Sequence, residues 1–247
     1  MIFYLNILIG NCYKQNYFLR SQCTIAVVKP TKQRKKPTFA LNFIGPHDFE
    51  TLCIIFGTLL GDAHIQKRRN STRVSFRQCA AHKEHLFSLW EYFNNKGYTS
   101  ASKPELKTYI HKKTKKRIDH YAFDTYSYAS FNWIKDLFYK DKVKIVPNCI
   151  ADYLSPRALA IWIMDDGERH GGGVRLNTQD FTKEEILFLG KVLFDKYKLK
   201  CTLHKSKYSE RKKTQQYRLY ISAKCLNILR SLVVPYLVPS MFYKVGL

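Results

Sequence analysis

Two apolar runs with the same pattern stand out along the chain, at residues 55–63 and 159–167. Each run carries no charge until an aspartate near its end, Asp62 in the first and Asp165-Asp166 in the second. Apolar residues on all sides predict a buried helix in both places, and each run is too short to cross a bilayer. A carboxylate at the C-terminal end of a helix faces the negative end of the helix dipole, which costs stability. Two such ends in equivalent positions indicate a positive ligand between them, most simply a metal ion.

The first run begins a series of alternating elements. Asp48 is placed to cap its helix. After the run, alternating apolar and polar residues on both sides of the turn-forming Asn70-Ser71 predict a hairpin, and the apolar stripe from Leu86 to Phe93 predicts a helix. The elements predicted for this half are a hairpin of 63–68 and 72–78, a helix over 83–94, a longer hairpin of 98–109 and 120–126, and a helix around 131–138.

The second half repeats this order of elements. Pro156 suits the first turn of the second helix, and Thr182 with Glu185 forms a capping box for the helix that follows. Equivalent segments are separated by about one hundred residues, so that 174–176 corresponds to 74–76. The remaining elements predicted here are a long hairpin of 199–208 and 215–222 and a final helix over 223–233. Recurrence of helices and hairpins in the same order indicates an internal duplication.

These elements predict an α+β fold of two pseudo-symmetric αββαββα repeats that pack through their first helices and carry two antiparallel sheets. Gly57 and Gly61 are four residues apart on one helical face and let the backbone of the partner helix approach closely. The equivalent positions of the second helix are Ile161 and Asp165, so the helix contact must be asymmetric. We expect a basic N-terminal extension or linker over residues 1–46, a first repeat over 47–155 and a second repeat over 156–247.

A pseudo-twofold axis between the first helices would bring Asp62 and Asp166 side by side. Two adjacent carboxylates and the backbone carbonyls at the helix ends form an all-oxygen site, which suits Mg²⁺. Metal ions in such a site can activate water and stabilise the leaving oxygen in phosphodiester hydrolysis. The alternative is a pair of helix-terminal aspartates neutralised by lysines, and for either aspartate alone that alternative is favoured.

The formal net charge of +23 arises from 42 basic and 19 acidic residues. It favours a polyanionic partner, nucleic acid before an anionic membrane surface. Basic residues cluster at hairpin tips rather than along one amphipathic helix, which argues against a membrane surface. The seven cysteines are scattered and odd in number, which indicates a reducing compartment. Cys79, His82 and His85 have a spacing that suits a metal, but without a second ligand pair nearby an ordinary helix start is favoured.

The hairpins offer a surface for DNA. Sheets with basic loops can lie along a DNA groove, where arginine favours guanine and asparagine or glutamine favours adenine, while lysines at the tips contact phosphate. Arg73, Ser75 and Arg77 alternate along one predicted strand and are expected to face solvent. The residues predicted to bind DNA are Arg69, Arg73, Ser75, Arg77, Lys103, Lys107, Lys112, Lys116, Arg117, Arg175, Asn177, Gln179, His204, Lys205, Lys207 and Arg218.

The two apolar runs resemble the signature of LAGLIDADG homing endonucleases, and the resemblance covers almost everything after the N-terminal extension. The match is closest to the monomeric, two-repeat, intron-encoded class of mitochondria and chloroplasts. It is most specific in Leu-Ala-x-Trp-x-Met-Asp-Asp-Gly at 159–167 and is supported by Leu-Asn-Thr-Gln at 176–179. The first motif departs from the signature at Phe56, Thr58 and Ala63 but keeps the acidic residue, Asp62.

This resemblance implies that Asp62 and Asp166 bind the catalytic divalent metals, Mg²⁺ or Mn²⁺. It also implies that Lys144 and Lys244, each near the end of one repeat, flank the active site, where a lysine can stabilise charge on the phosphate or order the attacking water. Gln78 and Ser206 are weaker candidates for the solvent network around the metals. His64 follows the metal aspartate as a candidate base, although a role in the hairpin or in DNA contact is favoured.

The implied activity is site-specific cleavage of a long asymmetric duplex that leaves 3′ overhangs and serves intron homing, by a monomer in an organelle. A mitochondrion is favoured over a chloroplast. Residues 1–47 contain no Asp or Glu, which is compatible with a transit peptide, although serine is scarce. One alternative is an RNA maturase on the same fold that assists splicing of its host intron. Another is a non-catalytic DNA-binding protein.

Overall fold

The computed structural model describes residues 46–111, 114–210 and 214–247. The predicted N-terminal extension therefore lies outside the described residues, except for Pro46. The helices are α1 (Phe49–Leu60), α2 (Lys83–Asn95), α3 (Asn132–Phe138), α4 (Ile150–Tyr153), α5 (Pro156–Asp166), α6 (Lys183–Tyr197) and α7 (Leu226–Val233). The strands are β1 (His64–Arg68), β2 (Ser71–Cys79), β3 (Lys107–Ile110), β4 (Arg117–Asp124), β5 (Tyr139–Lys140), β6 (Val143–Lys144), β7 (Gly167–His170), β8 (Gly173–Leu176), β9 (Cys201–Ser209) and β10 (Thr214–Ile221).

The helices α1 and α5 begin at the residues that the sequence predicts. Asp48 caps α1, where its carboxylate accepts from the Thr51 amide at 2.9 Å. Ser155 caps α5 and Pro156 occupies the first turn. The predicted capping box at the start of α6 is also confirmed. Among the described residues, no helix is long and apolar enough to cross a membrane.

The contact between α1 and α5 is close because glycine lies at two points of it. A Cβ atom on Gly57 would lie 2.6 Å from the Ala158 carbonyl oxygen, and one on Gly61 would lie 2.5 Å from the Asp165 Cβ atom. Both distances are shorter than any ordinary non-bonded contact, so at both positions glycine lets the second helix come close. The two helices are almost entirely buried at the centre of the molecule.

Each repeat carries one four-stranded antiparallel sheet, and both sheets have the same order. The first runs β1-β2-β4-β3 and the second runs β7-β8-β10-β9. Val74 and Phe76 of β2, like Val174 and Leu176 of β8, point into the core beneath the sheet. Alternate residues of the same strands lie on the other face, as expected from the period of a strand. The predicted α+β fold of two similar repeats is confirmed.

One predicted strand is wrong in its extent. The sequence predicts a strand over 98–109, but β3 covers only Lys107–Ile110. Tyr98 instead turns into the core, and the segment that follows packs against α2, where the Trp90 indole donates to the Ser100 carbonyl at 3.2 Å. Pro104 lies in this segment and has no amide hydrogen to donate to a neighbouring strand.

A histidine at the start of the first repeat ties three elements together and predicts a pH effect on stability. His47 lies 2.7 Å from the Tyr98 hydroxyl and 2.8 Å from the Ser130 hydroxyl, and its ring packs on Phe131. Burial, only partly offset by the charge of Asp48, lowers the pKa of His47 to about 4. The ordinary pKa of a histidine is about 6.5. The fold therefore favours the neutral ring over the imidazolium.

We expect the contribution of His47 to the free energy of unfolding to fall as the pH falls from 7 to 4. Because the folded pKa lies below the unfolded one, the contribution of His47 is fully present above about pH 6.5 and is lost as the pH falls toward 4. A pKa of about 4 against 6.5 corresponds to about 3 kcal/mol, and water around the partly exposed ring reduces the expected loss to about 2 kcal/mol. Urea denaturation at several pH values checks it, with His47→Gln as the control that lacks this part of the slope. Parallel slopes for the two proteins would contradict the prediction.

Candidate active site and nucleic-acid interface

Three carboxylates meet where α1 and α5 end. Gln78, on β2, donates from its amide nitrogen to Asp62 Oδ2 and to Asp165 Oδ1, both at 2.8 Å. The Asp62 backbone amide points at Asp165 Oδ2 at 3.4 Å. Asp166 is the last residue of α5 and adds a third carboxylate. The ends of the two central helices thus form one acidic centre that both repeats share.

Two lysines cap the ends of the same helices. Lys144, on β6, donates from Nζ to the carbonyls of Gly61 at 2.8 Å and Ala63 at 3.2 Å. Lys244 donates to the carbonyls of Met164 and Asp165. Each lysine therefore binds carbonyls at the end of its own repeat's central helix, where the negative end of the dipole attracts a cation.

The acidic centre is electrostatically unfavourable for its own carboxylates. Burial raises the pKa of Asp166 to about 8, and the negative charges of Asp165 and Asp62 add to the effect. Asp62 faces solvent in part, yet the protein atoms around its carboxyl group and the charge of Asp165 raise its pKa. Burial lowers the pKa of both lysines, against the attraction of the aspartates. The nearby lysines therefore do not fully offset the burial of these carboxylates and the repulsion among them.

The donors in this centre fit a hard divalent cation. Both Asp165 oxygens already accept hydrogen bonds, so the carboxylates open to a ligand are those of Asp62 and Asp166. Backbone carbonyls at the helix ends add further oxygen donors. Within the described ranges, no group of three or more His, Cys, Asp or Glu side chains forms a metal-binding cluster. Two carboxylates with solvent or phosphate oxygens suit Mg²⁺, which keeps several waters and rarely uses an all-protein cage.

The first sheet has basic residues on the face away from the core. Arg73, Ser75 and Arg77 of β2 share this face with Asp124 of β4. Asp124 binds the Arg73 guanidinium at 2.8 Å and accepts from the Ser75 hydroxyl at 2.5 Å. Ser75 was predicted to face solvent, but Asp124 covers it and leaves it only 5% exposed. Arg77 is exposed beside the acidic centre.

The second sheet also has a carboxylate that binds arginine on its outer face, but a different residue provides it. Glu168 of β7 accepts from Arg175 at 2.5 Å and from Arg218 at 3.2 Å. Each sheet thus has a carboxylate that binds arginine on the outer face, Arg73 in the first sheet and both Arg175 and Arg218 in the second. The acid fixes the direction of each guanidinium and lowers the net positive charge of the face.

A cleft of about 500 Å³ opens between the first sheet and the acidic centre. Asp62, Gln78 and Asp165 line it together with Arg77. Its other lining residues are His64, Cys79, His82, Tyr109, Ile118 and His120. The outer face of the first sheet is therefore continuous with the carboxylates.

Residues 52–229 match the model of the LAGLIDADG DNA endonuclease family. The chain belongs to this family. It is 39% identical over 213 residues to cytochrome b mRNA maturase bI2 of Debaryomyces hansenii, covering 85% of this chain and 79% of the maturase. It is 38% identical over 164 residues to intron-encoded endonuclease ai4 of Dictyostelium discoideum, covering 64% of this chain and 99% of that protein. The resemblance to this family inferred from the sequence is confirmed.

Two further comparisons define the extent of the likeness. Cytochrome b mRNA maturase bI2 of Saccharomyces cerevisiae is 37% identical over 213 residues, which cover 83% of this chain. This LAGLIDADG chain spans 49% of that maturase's length. The homing endonuclease I-WcaI, solved bound to its DNA recognition sequence, superposes with a TM-score of 0.70 over 91% of this chain and 97% of its own, at 23% identity. That likeness shows the shared fold.

The LAGLIDADG fold brings some of the predicted site residues together and separates others. Asp62, Asp166, Lys144, Lys244 and Gln78 all lie at the acidic centre. Ser206 lies on β9 instead, where its carbonyl accepts from the Gln215 amide at 2.6 Å. His64 is 2.8 Å from Gln66 on β1.

The predicted DNA contacts are spread over turns, strands and loops of both repeats. Arg69, with φ +34°, occupies the turn between β1 and β2. Lys205 is paired with Tyr217, so it lies on the opposite face from its neighbour His204, which is paired with Arg218. Other predicted contacts that are exposed along strands, tips and loops are Lys103, Lys107, Lys116, Arg117 and Lys207. Asn177 and Gln179 follow β8 and are half-buried, whereas Lys112 lies outside the described residues.

Two residues of the acidic centre escaped the sequence reasoning. The sequence predicts Asp166 as the ligand because its position matches that of Asp62, whereas Asp165 is the carboxylate that Gln78 binds together with Asp62. His85, read as part of an ordinary helix, lies on α2 with its Nε2 atom 2.8 Å from Asp165 Oδ1. Only the spacing of Cys79, His82 and His85 pointed to this region, and it did not indicate a contact with the other repeat.

Proposed function

We propose that this LAGLIDADG protein is a site-specific endonuclease that hydrolyses phosphodiester bonds in double-stranded DNA with Mg²⁺ or Mn²⁺. The observation that carries the proposal is the acidic centre itself. Asp62 and Asp166, one from each repeat, lie with Lys144 and Lys244 at the junction of two sheets whose outer faces carry arginines. The carboxylates and lysines of this centre can bind a metal ion and a phosphate. The two sheets can bind the DNA on either side of that phosphate.

Each residue of the centre has a distinct role in this proposal. Asp62 and Asp166 would hold the metal ions, which activate water and stabilise the leaving oxygen when bound. Gln78 holds Asp62 in one orientation through its amide. Lys144 and Lys244 keep positive charge beside the phosphate, where negative charge increases as the bond breaks. Burial of both lysines keeps that charge from being fully screened by water.

The two sheets would read a long and asymmetric duplex. Arg73 and Arg175 occupy corresponding strands but are held by different acids, and their neighbours differ as well. Two unlike faces favour two unlike half-sites. Exposed lysines along the tips and loops contact phosphate and make binding depend steeply on salt. A cut in each strand across the minor groove would leave 3′ overhangs.

The wider role that we infer is intron homing. Intron-encoded endonuclease ai4, of which the chain covers almost the full length, supports this role. One chain contains both repeats and therefore has a sheet for each half-site of the DNA. We propose that the protein acts as a monomer. An organelle, a mitochondrion before a chloroplast, is the proposed location.

A second candidate function is that of an RNA maturase for the host intron. Relatives named cytochrome b mRNA maturase bI2, at 37% and 39% identity, favour it. The retained aspartates and lysines favour the nuclease. Splicing of the host intron transcript in vitro, assayed beside cleavage of the intronless allele, separates the two functions. Splicing without cleavage would assign the protein to the maturases.

Selection of cleavage sites from a randomised duplex library tests the nuclease directly. With Mg²⁺ we expect recovery of one long, asymmetric sequence cut in both strands, and with Ca²⁺ binding without cleavage. Ca²⁺ prefers a looser coordination than Mg²⁺, which makes it a useful control for binding alone. Binding in both ions without cleavage in either would favour a non-catalytic DNA-binding protein and overturn the proposal.

A further inference from the structure

The acidic centre is not symmetric, because Asp165 occupies the space that a glycine leaves. Gly61 and Asp165 are equivalent positions of the two central helices. A Cβ atom on Gly61 would lie 2.5 Å from the Asp165 Cβ and Oδ2 atoms. The first repeat thus lacks a side chain at the point where the second repeat places a carboxylate across the helix contact.

Asp165 is held by residues of the other repeat. His85 Nε2 lies 2.8 Å from Asp165 Oδ1, and the Gln78 amide nitrogen lies 2.8 Å from the same oxygen. The His85 side chain has 0% exposure and that of Asp165 has 2%. Because a carboxylate oxygen can only accept from the ring, Nε2 carries the proton. The other ring nitrogen, Nδ1, is buried without a partner in the described structure.

This network fixes the orientation of the Asp62 carboxylate. Gln78 has two amide hydrogens, one directed to Asp165 and one to Asp62 Oδ2. The hydrogen bond to Asp165 fixes the orientation of the Gln78 amide group. It therefore also fixes the direction of the N–H that points to Asp62. His85 and Asp165 therefore orient Gln78, and Gln78 orients Asp62. Among the described residues, no side chain donates a hydrogen bond to the Asp166 carboxylate in the same way.

Among its described residues, the second repeat has no equivalent of this network. Thr178 follows Gln78 by one hundred residues, and its hydroxyl donates to the Tyr217 carbonyl at 3.3 Å instead. Glu185 follows His85 by the same separation. Its carboxylate completes the capping box of α6 and accepts from the Val146 amide at 2.8 Å. The support of Asp62 thus differs chemically from that of Asp166.

We propose that His85 and Asp165 are positioning residues that prepare only the Asp62 side of the centre, so that the two DNA strands are cut at unequal rates. This inference rests on the proposed function. Neither residue is expected to touch DNA, since both side chains are buried. Their effect reaches the reaction through Gln78 and Asp62, and displacement of a reacting group by about 1 Å can reduce a rate by about 100-fold.

The test uses the full chain and the duplex site selected in Mg²⁺, with each strand labelled in turn. We expect His85→Leu to slow cleavage of one strand by about tenfold or more and to leave the other within about twofold, so that nicked duplex accumulates. His85→Gln, which keeps a donor, should restore part of the loss. In the single variant the buried Asp165 loses a hydrogen-bond partner, which can impair folding. The double variant His85→Leu/Asp165→Ala removes both buried polar groups and so avoids that cost. Binding in Ca²⁺ should be unchanged.

A second readout needs no metal or DNA. The ¹⁵N NMR signals of the His85 ring should report a proton on Nε2 in the wild type and should shift in Asp165→Ala. Thr178→Val, at the position equivalent to Gln78, is the matched control and should leave the ratio of strand rates unchanged. Equal slowing of both strands by the His85 variants, or no slowing, would overturn the inference. A wild-type protein that cuts no DNA would instead overturn the proposed function.

Discussion

Asp166→Asn is expected to abolish double-strand cleavage, with a loss of at least about 1,000-fold, equivalent to about 4 kcal/mol in the barrier. Asp62→Asn should have the same effect. Asparagine keeps the shape of the side chain and removes the charge that a divalent cation needs. Because burial and the charges of Asp165 and Asp62 raise the pKa of Asp166, removing its charge should not destabilise the metal-free protein. Duplex binding in Ca²⁺ should stay largely intact.

The measurement is cleavage of the selected site in Mg²⁺, followed by gel mobility shift in Ca²⁺. Asp152→Asn is the control, because Asp152 is exposed on α4, away from the helix ends. The same variants also separate the two candidate functions. A maturase role that does not use the metal site would survive Asp62→Asn and Asp166→Asn in a splicing assay. Full cleavage by either variant would contradict the proposal that Asp62 and Asp166 form a shared metal site.

Gly57→Ala is expected to lower the free energy of unfolding by about 2 kcal/mol. The new Cβ atom would lie 2.6 Å from the Ala158 carbonyl oxygen and 2.8 Å from its Cα atom. These are backbone atoms of a buried helix and cannot rotate away, so α1 and α5 must separate. Overpacking of a core by one methyl group costs about 1–3 kcal/mol. That cost exceeds the gain of up to about 1 kcal/mol from replacing glycine by alanine within a helix.

Gly190→Ala is the matched control, since it makes the same change within α6. There the new Cβ atom would lie 3.4 Å from Leu219 Cδ1, an ordinary contact. We expect this variant to be as stable as the wild type or more stable by up to about 1 kcal/mol. Urea denaturation of both variants measures the difference. Equal stabilities for the two would show that Gly57 does not limit how closely the helices approach.

Much of the fold could be predicted from the sequence because its determinants are local. Asp48, Pro156 and the pair Thr182 and Glu185 act within one turn of the helices that they start, and the structure has all of these features. The wrong strand at 98–109 shows the limit of such reasoning. Tyr98 alternates as a strand residue would, but its contacts are with His47, Tyr128 and Phe131, which are distant in sequence.

The acidic centre was predictable only in part. The duplication pointed to Asp62 and Asp166, and the family resemblance implied Lys144 and Lys244, which hold matching positions in the two repeats. The partners of those lysines, the carbonyls at the helix ends, could not be read from the sequence. Burial of Ser75 beneath Asp124 was missed for the same reason, since the two residues are 49 apart and lie on different strands.

The amino-acid sequence alone establishes that this chain has two copies of one unit, each with a buried helix that leads to an aspartate, and that the whole chain is strongly basic. Periodicity, caps and charge are properties of neighbouring residues, and the chain carries them in any conformation. That His85 and Gln78 bind Asp165 rather than Asp166 follows from the folded structure and not from the sequence. Those residues lie 80 and 87 positions away. Such contacts depend on how closely α1 and α5 pack, which Gly57 and Gly61 set in three dimensions.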